Sequence, residues 1–143
     1  MSQKLRVLFV CTGNSARSQM AEAFARHYGQ GQVEVSSAGI DPKGLHPLTV
    51  KVMSERGIDV SYQASKALTD EILRKANYVV TVCGHADEHC PALPPDVRKL
   101  HWPIGDPAVL SGRAPEEVLA AFRQARDELE SRVRDLLSTL ERQ

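Results

Sequence analysis

The stretch from Leu5 to Phe24, LRVLFVCTGNSARSQMAEAF, decides the architecture. Its first six residues, LRVLFV at 5–10, are apolar and partly β-branched, the pattern of a short buried strand. The small-residue segment CTGNSARS at 11–18 follows. Met20, Phe24 and Tyr28, with Ala21 and Ala25, then recur at helical spacing, and Gly29 and Gly31 end that helix.

Downstream, the same alternation continues. VEVSS at 33–37 reads as a second strand ended by Ala38-Gly39. Leu45, Leu48 and Val52 predict a helix closing at Gly57, and Thr69 or Asp70 caps a short helix running to Lys75. YVVTV at 78–82 is a strong third strand and VRKLHW at 97–102 a weaker fourth. Residues 103–115 read as a long loop, a place where function often sits. Pro115 suits a first helical turn, with Glu116 and Glu117 at the positive dipole end. Val118, Phe122, Ala125, Leu129, Val133, Leu136 and Leu140 then form one apolar stripe. The expected fold is a three-layer α/β domain, a four-stranded parallel sheet flanked by helices.

Composition sets the outer bounds. A chain of 143 residues is expected to form one domain, 1–143, with a real core. Apolar residues at 42% and charged residues at 25% exclude disorder. Lys plus Arg number 18 and Asp plus Glu 18, so no basic excess points to nucleic acid or a membrane surface. The run 5–10 is too short for a signal or spanning segment, so a cytoplasmic protein is expected. Three cysteines in a reducing compartment are more often buried, metal-binding or catalytic than structurally paired. We expect a monomer with no cofactor and no resident metal.

The segment Cys11 to Ser18 has the form Cys-x5-Arg-Ser between a strand and a helix. Such a loop wraps backbone N–H groups around a point before the helix N-terminus, where the dipole also favours negative charge. Thr12, Gly13, Asn14, Ser15, Ala16 and Arg17 are the expected binding residues for a tetrahedral oxyanion. Gly13 is expected to take backbone angles that a side chain would forbid. The Arg17 fork matches two oxygens of such an anion. Cys11, in the same positive field, favours thiolate and is the candidate nucleophile, with Ser18 donating a hydrogen bond to it. No Gly-Lys-Ser/Thr follows, so this is not a nucleotide-type phosphate loop.

Residues 5–24 resemble the opening of the low-molecular-weight tyrosine phosphatase fold, and are most similar to its thioredoxin-coupled arsenate reductases. VEVSSAGI at 33–40, VVTVCGHADEHCPALPP at 79–95 and HWPIGDPA at 101–108 extend the resemblance over nearly the whole chain. It implies reduction of arsenate, with phosphate or sulfate as mimics and thioredoxin as reductant. It assigns Cys83 as the thiol that attacks Cys11, Cys90 as the thiol that then attacks Cys83, and Asp106 of Asp106-Pro107 as the acid. A phosphatase needs only Cys11, Arg17 and an acid, whereas a reductase needs further thiols. The aromatic residues usual after Asp-Pro in tyrosine phosphatases are replaced by Ala108, Val109 and Leu110. Two other readings stay open for CGHADEHC: inert core cysteines, or a zinc site of Cys83, His85, His89 and Cys90. A non-enzymatic oxyanion- or zinc-sensing module is the matching functional alternative.

Spacing adds a constraint. If 83–90 is helical, its ends lie about 10.5 Å apart along the axis, beyond the ~7 Å that a disulfide spans. The segment must unwind for Cys83 and Cys90 to join, and Gly84, Pro91, Pro94 and Pro95 suit a weakly held stretch. Ala16 stands where some relatives carry a further cysteine. Lys66 falls where relatives that bind potassium carry an aspartate, beside matching Asn14, Glu22 and Ser37. A lysine cannot ligate potassium, so its ammonium is expected to take the ion's place, bonded to Glu22 and the Asn14 or Ser37 oxygens; the alternative is a surface lysine that points to solvent. His27, His46 and His101 carry no motif, and Trp102 reads as packing.

Overall fold

A computed structural model describes residues 4–90, 92–110 and 112–141 of the chain; Pro91 lies outside them. Strand β1 spans Leu5–Cys11, helix α1 Arg17–Gly29, β2 Val33–Gly39, α2 Pro47–Ser54 and α3 Asp70–Lys75. Strand β3 spans Tyr78–Thr81, α4 Gly84–His89, β4 Arg98–His101 and α5 Pro115–Glu141. The sheet is parallel throughout with strand order β2-β1-β3-β4. The expected four-stranded α/β architecture is what the chain forms. Strand ends differ by one or two residues from the pattern, and 103–115 holds one 3₁₀ turn, Pro107–Leu110. Thr69, rather than Asp70, caps α3: its hydroxyl accepts from the Ile72 N–H at 3.2 Å.

The core explains why these residues form these elements. Val7 to Cys11 and all of β3 are buried, because central parallel strands are covered on both faces. The α5 stripe from Val118 to Leu140 is buried at each expected position, and α5 packs on α1 and α2. Phe24 and Phe122 are fully buried, each contributing about 1.5–3 kcal/mol on general grounds. The direction of strand addition switches at β1: β2 lies on one side, β3 and β4 on the other. Right-handed crossovers then put helices on both faces, and the crevice at the carboxyl ends of β1 and β3 is the favoured ligand position. Cys11 ends β1 and Cys83 lies two residues beyond β3, so both thiols reach that crevice.

Candidate active site

The loop 11–16 is held from behind. Carbonyl oxygens of five consecutive residues accept hydrogen bonds from outside it. Ile40 N–H donates to Cys11 O (3.1 Å), Asp41 N–H to Thr12 O (2.8 Å) and Lys43 N–H to Gly13 O (2.8 Å). Gln19 Nε2 donates to Asn14 O (2.9 Å). His46 N–H (3.0 Å) and Thr49 Oγ1 (2.9 Å) both donate to Ser15 O. With its carbonyls drawn outward, the loop presents N–H groups to the cleft, as an anion cradle requires. Helix α1 starts at Arg17, its N-cap Ala16 offering no side-chain cap, so its dipole end faces the same point.

The left-handed turn falls on Asn14 (φ 47°), not on Gly13 as the sequence suggested. Asn tolerates this region, and here its side chain is pinned. Its Oδ1 accepts from Lys66 N–H (2.9 Å), and its Nδ2 donates to Ser18 Oγ (2.7 Å) and Ser37 Oγ (2.9 Å). Gly13 instead gives room: a Cβ there would lie 3.2 Å from Lys43 Cγ. Gly39 is the more demanding position. A Cβ on it would sit 2.7 Å from Thr12 O and 2.9 Å from Asn14 N.

The hydrogen-bond directions settle how Ser18 meets the nucleophile. Ser37 donates to Glu22 Oε1 at 2.6 Å, so its lone pair takes one Asn14 N–H. The other Asn14 N–H occupies a lone pair of Ser18. The Ser18 proton is thereby free to donate to Cys11 Sγ, 2.8 Å away, joined by the Asn14 backbone N–H at 3.1 Å. Two donors thus converge on the buried Cys11 sulfur. Arg17 is buried, with Nη1 donating to Ile104 O (3.0 Å) and Nη2 3.7 Å from Asp106 Oδ2. Asp106 Oδ1 also accepts from Ala108 N–H at 2.9 Å. Cys11, Thr12, Gly13, Ser15, Ala16, Arg17 and Asp106 thus line one cleft. His46, which carries no motif, lines it too. Burial lowers the His46 pKa, with Asp106 opposing.

The expectation for Lys66 is corrected. Its ammonium makes no ion pair or hydrogen bond among the described residues; only its backbone N–H reaches Asn14. Arg26, one turn along α1, pairs with the buried Glu22 instead (Nη2 to Oε2, 2.6 Å). Gln63 Oε1 (3.0 Å) and Tyr62 Oη (3.3 Å) hold the guanidinium from the other side. Burial opposes the charge on Arg26, but Glu22 outweighs it and the pKa rises. Arg26 wins because i,i+4 spacing places it over Glu22 on one helix face, which a lysine on a separate loop must reach from afar.

Cys83 caps α4, its sulfur accepting from Ala86 N–H at 3.3 Å. The same sulfur lies 3.3 Å from Thr12 Oγ1, so α4 delivers a second thiol to the edge of the anion loop. Cys90 follows the far end of α4; burial pushes its thiol pKa up, Lys99 opposing and Asp87 adding. His85 and His89 are exposed and stack on each other at 4.2 Å. Among the described residues no group of three or more His, Cys, Asp or Glu could hold a metal. Asp87 ties α4 down through Lys99 Nζ (2.7 Å) and Thr81 Oγ1 (3.0 Å). No helix among the described residues is long and apolar enough to cross a membrane.

Comparison with known proteins agrees with this geometry. Residues 6–143 match the low molecular weight phosphotyrosine protein phosphatase family. An arsenate reductase of Halalkalibacterium halodurans is 45% identical over 139 residues, 97% of this chain and 99% of that protein. The solved thioredoxin-dependent arsenate reductase of Corynebacterium glutamicum is 34% identical with a TM-score of 0.79, covering 98% of this chain and 63% of that longer one. The YwlE arginine phosphatase from Geobacillus stearothermophilus is 30% identical with a TM-score of 0.77, covering 96% and 93%. The chain therefore belongs to the low molecular weight phosphotyrosine protein phosphatase family.

Proposed function

We propose that the chain reduces arsenate to arsenite by a three-thiol relay regenerated by thioredoxin. The observation that carries this reading is the placement of Cys83 Sγ 3.3 Å from Thr12 Oγ1, at the rim of the oxyanion loop. A phosphatase has no use for a thiol there. Cys11 attacks arsenic held by the loop N–H groups and Arg17, while Asp106 protonates the departing hydroxide. Cys83 then attacks Cys11 sulfur, and the electron pair of the sulfur–arsenic bond leaves with arsenite. Cys90 attacks Cys83 as α4 unwinds, and thioredoxin reduces the resulting Cys83–Cys90 disulfide. Phosphate and sulfate are expected to compete with arsenate, since charge and tetrahedral shape are shared. The protein is expected to work as a cytoplasmic, single-domain monomer.

A second reading, weak phosphatase activity, is favoured by Cys11, Arg17 and Asp106, which meet in one cleft without any need of Cys83. Similarity to an arginine phosphatase supports it. NADPH oxidation coupled through thioredoxin reductase and thioredoxin, with arsenate as substrate, tests the first reading beside hydrolysis of p-nitrophenyl phosphate. Arsenate-dependent NADPH loss that stops in Cys83→Ser is the expected result. Phosphate release without arsenate turnover overturns it.

A further inference from the structure

Cys83 must shed a proton before it can attack Cys11, and Asp106 is engaged by Arg17 and the Ala108 N–H. The groups beside the Cys83 sulfur supply another acceptor. Thr12 Oγ1 sits 3.3 Å from Cys83 Sγ and 3.0 Å from His85 Nδ1. We propose that His85 accepts the Cys83 proton through the Thr12 hydroxyl, and so sets the rate at which the second thiol attacks Cys11. The inference rests on the relay described above.

The three atoms have two proton arrangements. In the first, Cys83 S–H donates to Thr12 Oγ1, and Thr12 O–H donates to a neutral His85 Nδ1. In the second, both protons have moved one bond along, leaving a Cys83 thiolate that accepts from Thr12 and a His85 imidazolium that donates to it. The thiolate is further held by the Ala86 N–H at 3.3 Å. It attacks Cys11 Sγ, the S–S bond forms, the Cys11–arsenic bond breaks, and its electron pair reduces arsenic from the +5 to the +3 state. His85 is exposed and returns its proton to water.

Its neighbours leave it free for this work. His89 stacks on the ring at 4.2 Å, but its own Nδ1 is engaged with His85 O (2.8 Å). The Asp87 carboxylate of the same helix is turned to Lys99 and Thr81. From the loop side, among the described residues, only Thr12 bonds to the ring, a neutral hydroxyl. His85 touches neither arsenic nor sulfur, so it acts by positioning and accepting a proton through Thr12.

The test uses the Cys90→Ser protein, which stops at the Cys11–Cys83 disulfide, with and without His85→Asn. Asparagine keeps an acceptor for Thr12 but takes no proton. Disulfide formation is timed by quenching and mass spectrometry from pH 6 to 9.5. One arm starts with arsenate, the other with hydrogen peroxide, which converts Cys11 to a sulfenic acid that Cys83 attacks with loss of hydroxide. At pH 7, His85→Asn should slow disulfide formation at least ~10-fold, and the deficit should close as pH passes ~8.5, where a free thiol ionises unaided. No deficit, or one constant across pH, overturns the proposal. A pH-dependent deficit in the peroxide arm with no disulfide or arsenite from arsenate upholds it and overturns the reductase reading.

Discussion

Replacing Asp87 with alanine should make the Cys83–Cys90 disulfide harder to reduce. The disulfide cannot span an intact α4, because its flanking cysteines lie about 10.5 Å apart along a helix and the bond reaches only ~7 Å. Every interaction that docks α4 therefore stabilises the dithiol and raises the reduction potential of the pair. Asp87 supplies two: the Lys99 pair at 2.7 Å and the Thr81 hydrogen bond at 3.0 Å. The pair is about one-third exposed at both ends, so solvent screening leaves it ~0.5 kcal/mol. The hydrogen bond adds ~1 kcal/mol. Losing ~1.5 kcal/mol from the dithiol state lowers the potential by ~30 mV, about tenfold in the equilibrium with thioredoxin. Redox buffers of known potential, applied to the Cys11→Ser protein and read by alkylation and mass spectrometry, measure this directly. Hydrogen exchange over 84–89 should show lost protection in the disulfide form. A potential that is unchanged or higher in Asp87→Ala refutes the coupling of α4 docking to the redox step.

Four further outcomes are expected. Cys90→Ser should yield one arsenite per enzyme and a trapped Cys11–Cys83 disulfide, seen by mass spectrometry; normal cycling with thioredoxin would show that the relay ends at Cys83. Gly39→Ala drives a methyl to 2.7 Å from Thr12 O, costing about 1–3 kcal/mol in urea unfolding and weakening phosphate protection of Cys11 against iodoacetamide; an unperturbed loop would contradict the close approach. Arg26→Met strips the countercharge from buried Glu22, at a cost of ~2 kcal/mol once the two-fifths exposure of Arg26 is discounted, while the unaltered protein should respond equally to sodium and potassium at one ionic strength. Glu55, pulled from 4.5 to about 2 chiefly by its Arg123 hydrogen bond, against burial and with help from Arg126, is depressed in the fold. Its stabilisation is full above pH 4.5 and vanishes as pH falls through about 2, so the gap between Glu55→Gln and the unaltered protein should close there in urea titrations.

What the sequence made legible was local and contiguous. Cys-x5-Arg-Ser, the strand before it and the helix after it are read from adjacent residues, and the α5 stripe repeats with a single period. Intrinsic preference puts the left-handed turn at Gly13, whereas Ser18, Ser37 and Lys66 converge from three segments to hold Asn14 in that conformation. Position along the chain pairs Lys66 with Glu22, but only the folded helix shows Arg26 lying over that carboxylate. The demand for glycine at 39 arises only when β2 is paired with β1, bringing it against Thr12 and Asn14. The Thr12–His85 contact needs the β1–β3 register, which no periodicity encodes.

That register also sets a local concentration. Thr12 and Cys83 are 71 residues apart in sequence, yet parallel pairing of β1 with β3, continued by Val82 N–H to Val10 O at 2.9 Å, brings them to 3.3 Å. A thiol on a flexible tether meets its target at about millimolar effective concentration or below. Groups fixed in an attacking orientation behave as though many orders of magnitude more concentrated. In the proposed relay, free small-molecule thiols at millimolar levels would therefore lose the race for an arsenic adduct on Cys11 to the thiol built into the neighbouring strand end. The sheet would commit that adduct to internal exchange before any external reductant arrives.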